Sequence, residues 1–229
     1  MKTIEEAVVI REGDSFKTVL SKYGALALDK QENLSEYIGD TEGDLDLENG
    51  ILSFGDIKLP IEVLGFYNDD LKQWSWAWDS EEIFGADLIE AAAEIMQAGI
   101  DAGIPEFSSP VIQADFNACH ELSMATVGIL DFDAHYAVSE DGLDIFVAIK
   151  PGNIPAVDSV VKFKDTFYTF QRNFKVYGRL ALESYAKLKG YHIKHHDDFD
   201  VVYLGESRLI VGFTERGNVR TIQMLLEEE

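Results

Sequence analysis

The chain has a single cysteine, Cys119, among 229 residues, so it cannot form an internal disulfide and lacks the paired cysteines usual in secreted proteins. That thiol reads as a small core residue. Basic side chains are scarce as well: 19 Lys and Arg stand against 42 Asp and Glu, for a net charge of −23. Binding a phosphate backbone takes clustered cations that displace counterions, so nucleic acid is not an expected partner. No apolar run approaches the roughly 18 residues of a membrane span, and the opening MKTIEEAVVIREGD has only a short apolar stretch broken by charge. The expectation is a cytoplasmic protein with no membrane association. What is present, 46% apolar residues with 27% charged, is a globular composition, and this excludes collagen, a disulfide scaffold and general disorder.

The few cations are unevenly placed. Residues 1–158 hold 8 basic and 32 acidic side chains, net −24, whereas residues 159–229 hold 11 and 10, net +1. Within 159–189, Lys162, Lys164, Arg172, Lys175, Arg179, Lys187 and Lys189 face only Asp165 and Glu183. Such a stretch either docks on the acidic part of its own chain or presents a surface to an acidic partner. On the second reading Lys164, Arg172, Lys175 and Arg179 form the contact, and the partner is another protein or a second copy in a homodimer.

Apolar spacing from Phe16 to Ile38 follows the helical period, with Asp14 or Ser15 placed to cap it. Three antiparallel strands are expected next, Leu45 to Phe54, Leu59 to Tyr67 and Gln73 to Trp78, with turns at Gly55-Asp56 and Asn68-Asp69-Asp70. A helix is predicted from about Glu81 to Ala102, with Asp79 and Glu82 spaced as a capping box, and another begins at Asp115. A hairpin, His135 to Val138 and Ile145 to Lys150 around Asp141-Gly142, closes the first section, 1–150. The segment Pro151-Gly152-Asn153-Ile154-Pro155 reads as a linker. In the second section, 151–229, Asp158 would cap a helix of about 30 residues whose seam of Phe163, Phe167, Phe170 and Phe174 is expected to lie on a sheet. Four strands follow: Tyr191 to Lys194, Phe199 to Leu204, Ser207 to Phe213 and Val219 to Leu226. Sequential hairpins without alternating β and α predict an α+β protein of two helix-on-antiparallel-sheet units, with further helices between them.

Three features carry the functional argument. Trp74, Trp76 and Trp78 alternate with Ser75 and Ala77, so in a strand the indoles would project from one face. They form either a core row sealed by the helix bearing Ala91, Ala92, Ala93 and Ala98, or, with Tyr67, the wall of a pocket for a planar or sugar ligand. The run Leu64-Gly65-Phe66-Tyr67, a polar turn and Trp74-Ser75-Trp76-Ala77-Trp78, followed by helices and an apolar hairpin, resembles an uncharacterised prokaryotic family of unknown function with a Gly-x-Tyr strand and a Trp-x-Trp-Ala-Trp strand. The resemblance covers roughly residues 45–150 and implies no activity, cofactor or catalytic residue.

The second feature concentrates His192, His195 and His196 with Asp197 and Asp200. Imidazole and carboxylate together suit zinc or iron, although no standard metal-ligand spacing is present and a solvated hairpin loop is the plainer account. The third feature is the helix after Asp158, described above. No Gly-x-Ser-x-Gly elbow, phosphate loop or His-Glu-x-x-His occurs. Cys119 and His120 are neighbours on a helix and so do not face each other. His135, beside Tyr136 at a strand start, reads as structural. These observations favour a non-catalytic binding protein with no cofactor. The alternative is a metal-dependent or small-molecule enzyme using the His192-Asp200 segment or a pocket beside the tryptophans.

Overall fold

The computed structural model describes residues 8–140 and 142–226. Asp141, half of the expected hairpin turn, lies outside the described residues. Among the described residues seven α-helices and two antiparallel sheets make an α+β fold. Helix α1 (Phe16–Ile38) is capped by Ser15, whose hydroxyl accepts the Thr18 N–H at 3.2 Å. Asp14 has a different task, a 2.5 Å ion pair with Lys22.

The expected strand 45–54 is two strands, β1 (Asp44–Asp46) and β2 (Ile51–Phe54), folded on each other as a hairpin. The chain turns there because Asp46 accepts the Asn49 N–H at 3.0 Å and Gly50 takes a φ of +64°, a conformation that glycine adopts without a Cβ penalty. Strand β3 (Ile57–Asn68) is the hub of the larger sheet. Its first four residues pair with β2, and its remainder pairs with β7 (Leu143–Ile149). Its last four residues also pair with β4 (Gln73–Trp76), while β5 (Val111–Gln113) adds to β4 and β6 (Ala134–Glu140) to β7.

Between β4 and β5 the chain is more broken than its apolar period predicts. Strand β4 ends at Trp76, and Ala77–Asp79 form a 3-10 turn. The helix expected over 81–102 is α2 (Glu81–Phe84), a second 3-10 turn and α3 (Glu90–Ala102), interrupted where Gly85 takes a φ of +80°. No capping box forms: the N-cap of α2 is Ser80, without a side-chain hydrogen bond. A short α4 (Pro105–Ser108) precedes β5, and α5 (Phe116–Leu130) opens on Asp115, which accepts the Ala118 N–H at 2.8 Å.

The helix of about 30 residues is also divided, into α6 (Val160–Asn173), capped by Ser159, and α7 (Gly178–Leu188). At the break Val176 is buried and the Tyr177 N–H is donated to the Ser21 hydroxyl of α1 at 2.9 Å. A tertiary partner thus satisfies an amide that the helix no longer can. The aromatic seam, expected to lie on a sheet, is divided: Phe174 lines a groove beside the last strand, while Phe163 and Phe170 meet helices. Phe170 lies against Gly24 of α1, where a Cβ would come within 2.6 Å of the ring, and Phe163 stacks on Tyr185 of α7 with centroids 4.3 Å apart. The second sheet is a meander in the order β11-β10-β9-β8, built from β8 (His192–His195), β9 (Phe199–Leu204), β10 (Ser207–Phe213) and β11 (Val219–Leu225).

Helix α1 joins the two halves, packing against α5 on one side of the sequence and α6 and α7 on the other. Asp29, buried on α1, accepts from Tyr185 at 3.0 Å and Lys189 at 2.7 Å and pairs with Lys162 at 3.0 Å. Burial alone would depress the Lys189 pKa, but the Asp29 and Asp158 carboxylates outweigh it and hold it above the ordinary value. A buried carboxylate with three partners avoids the large penalty of an isolated buried charge.

Candidate functional site: a basic groove between helix and sheet edge

The basic side chains of residues 159–189 divide into those with internal partners and those without. Lys162 and Lys189 hold Asp29. Lys187 pairs with Glu183 at 2.7 Å and Lys164 with Asp165 at 2.8 Å. Arg179 takes both Asp200 oxygens, at 3.0 and 2.6 Å, and donates to the His196 and Asp197 carbonyls. Its pKa is raised, chiefly by the Asp200 hydrogen bond. Among the described residues, Arg172, Lys175 and Arg220 form no ion pair.

Those three cations surround an open groove of ≈ 860 Å³. One wall is a single face of α6, presenting Lys164, Tyr168, Gln171 and Arg172 at helical spacing, continued by Phe174 and Lys175 in the break before α7. The opposite wall is Asn218 and the start of β11, Val219 to Ile222, and Lys17 of α1 completes the rim. Lys17 lies 4.3 Å over the Tyr177 ring, a cation–π arrangement. Asp165 is the one carboxylate in this lining and is already paired. Glu121 lies near enough to act on Lys175: burial and Asp115 raise its pKa, and Lys175 opposes them. Three of the four residues expected to form a partner surface, Lys164, Arg172 and Lys175, therefore line one groove, and Arg179 is held elsewhere by Asp200.

Lys17, Tyr168 and Arg220 were not singled out in the sequence. Arg220 belongs to the same basic excess after residue 158. Lys17 belongs to the section that is acidic as a whole, and only the fold of α1 across α6 brings it here.

The tryptophans lie in the interior. Trp74 and Trp76 are fully buried with centroids 5.2 Å apart, and the Trp76 indole donates to the Glu106 carbonyl at 2.9 Å. Trp78 leaves the row with the 3-10 turn and is half-buried. Tyr67, also buried, donates to Asp69 at 3.1 Å. Gly65 sits opposite Trp76 in the register, and a Cβ there would lie 2.4 Å from the Ser75 carbonyl and 2.6 Å from the Trp74 ring. The glycine of one strand makes room for the indoles of the next.

The histidine-aspartate segment does not converge. His195 Nδ1 approaches Asp200 at 3.1 Å, His196 stacks on Phe199, and His192 lies against Tyr203. Among the described residues no three His, Cys, Asp or Glu side chains come together as a metal would require. A different pair does meet. His120 Nδ1 is 3.0 Å from His135 Nε2 beneath Phe116 and Phe146. Burial pushes His135 down to about 3, helped by His120, and burial also lowers His120.

A family match spans residues 17–151, more than half of the chain. The chain belongs to a family of unknown function, DUF6882. The match begins within α1, earlier than the tryptophan strands suggested, and ends just after β7. Apart from Lys17, the groove lies outside it. No curated protein and no solved structure matches the chain. Among the described residues no helix is long and apolar enough to cross a membrane.

Proposed function

We propose that the chain is a binding protein without chemistry of its own, and that it holds an anionic partner in the groove between α6 and β11. One observation carries this reading: on a chain of net charge −23, Arg172, Lys175 and Arg220 stand unpaired around one cavity of ≈ 860 Å³. With 42 carboxylates on the chain, neutralising three cations internally would have been easy. Unpaired like charges close together repel, and an anion arriving between them relieves that repulsion. The cleft focuses this local positive field against an acidic surround.

The enzyme reading has weaker support, because Asp200 is already engaged by Arg179 and the histidines beside it point to separate neighbours. Calorimetric titration with poly-L-glutamate at low salt tests the binding reading. The wild type is expected to bind, and Arg172→Glu with Lys175→Glu to weaken binding at least about tenfold, roughly 1.4 kcal/mol, while Lys58→Glu on the far sheet leaves it unchanged. Equal affinity in all three proteins would overturn the reading. Stoichiometric zinc, iron or manganese in purified protein, lost in His195→Ala with Asp197→Ala, would move the function to the histidine-aspartate segment.

A further inference from the structure

We propose that the occupant of the groove is an acidic polypeptide segment in extended conformation, which adds to the C-terminal sheet as a strand beside β11. The inference rests on the anion-binding reading above and deepens it. Strand β11 ends its sheet, paired only with β10. An edge strand carries a row of N–H and C=O groups without sheet partners, and natural proteins usually protect such a row with brevity, charge or proline. The opposite edge, β8, has that protection: it is four residues long and contains Lys194. By contrast β11 runs for seven residues, Val-Arg-Thr-Ile-Gln-Met-Leu, with no proline; its one charge, Arg220, sits at a bulge near its start, and from Thr221 to Leu225 the edge is regular and uncharged. The long edge of the other sheet, β6, is backed by α1 and α5, and Gln31 accepts its His135 N–H at 3.2 Å.

The groove takes in the start of this strand, Val219 to Ile222. Arg220 is skipped in the register between Val219 and Thr221, a bulge that breaks the alternation of faces and lets these consecutive residues line one cleft together. The facing wall of α6 presents Lys164 and Arg172, followed by Lys175, where the side chains of an added strand would project. Beyond the groove the same edge continues to Leu225 and Leu226, 54% and 60% exposed, which suits apolar side chains alternating with the acidic ones. Strand addition draws affinity from main-chain hydrogen bonds and specificity from alternate side chains. A DNA backbone offers acceptors only and cannot match the alternating donors and acceptors of β11. A second copy pairing β11 against β11 would set Arg220 and the basic walls against their own kind.

The test uses the full chain and a labelled peptide alternating Glu and Val, followed by fluorescence anisotropy, with amide hydrogen exchange of β11 read in parallel. Two twins keep every charge but are N-methylated, one at every Val and the other at every Glu. The parent peptide is expected to bind and to slow exchange in β11. At least one twin is expected to lose about tenfold or more in affinity, and Arg172→Glu with Lys175→Glu to weaken the parent similarly. If both twins bind like the parent, the occupant is not a strand, and the anion-binding reading survives alone. An oligothymidylate of equal charge binding more tightly than the peptide would make nucleic acid the occupant. A dimer by light scattering, with β11 protected by protein concentration alone, would make it a second copy. If the charge reversal weakens neither the peptide nor poly-L-glutamate, both this inference and the reading beneath it fail.

Discussion

His135 is buried on β6 with its Nδ1 unpartnered and its Nε2 shared with His120, so the folded protein holds the ring neutral. Its folded pKa of about 3 lies below the ordinary 6.5. Between those values the unfolded chain takes up a proton that the folded chain refuses. The stability tied to this ring is therefore full above pH 6.5 and is lost as pH falls toward 3. By pH 5 the loss is about 2 kcal/mol. Urea denaturation at pH 7.5 and pH 5 should show that drop in the wild type and a clearly smaller one in His135→Gln; equal drops would mean that the ring titrates normally. The sequence marks His135 as structural, but its partnership with His120 is not legible, because α5 and β6 meet only through packing. Cys119 behaves as its isolation suggests: burial pushes its thiol up to about 12, which leaves it unreactive near neutral pH.

The pairing of β3 with β4 shows how two elements specify each other. Each strand is legible from its own residues. Their fit lies in the register, which sets Gly65 against Trp76 and leaves no volume for a methyl beside Trp74 and the Ser75 carbonyl. Gly65→Ala should cost roughly 1–3 kcal/mol, the range for overpacking a filled core, and should perturb the near-ultraviolet dichroism of the indoles. A neutral outcome in both measurements would mean that the strands part easily. The helices were less legible where neighbours interrupt them. Apolar period alone runs through Lys175 and Tyr177, and nothing local announces that Ser21 will take the Tyr177 amide. Likewise the period of 45–54 continues across a tight turn, which hides the β1-β2 hairpin.

At the scale of the molecule the charge of −23 opposes compaction through self-repulsion. Screening that repulsion should raise the melting temperature as sodium chloride increases from about 0.01 to 0.5 M, since the Debye length shortens from about 30 Å to a few ångströms. Calorimetry checks this, and a falling melting temperature would show that ion pairs such as Lys22–Asp14 outweigh the net field. The contrast between acidic and basic sections was plain in the sequence. Which cations turn inward was not, because that depends on where Asp29 sits once α1 is surrounded.

The family match stops at residue 151, and the ammonium groups that neutralise Asp29 come from positions 162 and 189. The matched portion alone would leave Asp29 without either counterion. A relative ending where the match ends would lack α6 and α7 along with both counterions, so a carboxylate at that site of its first helix would meet water and need neither.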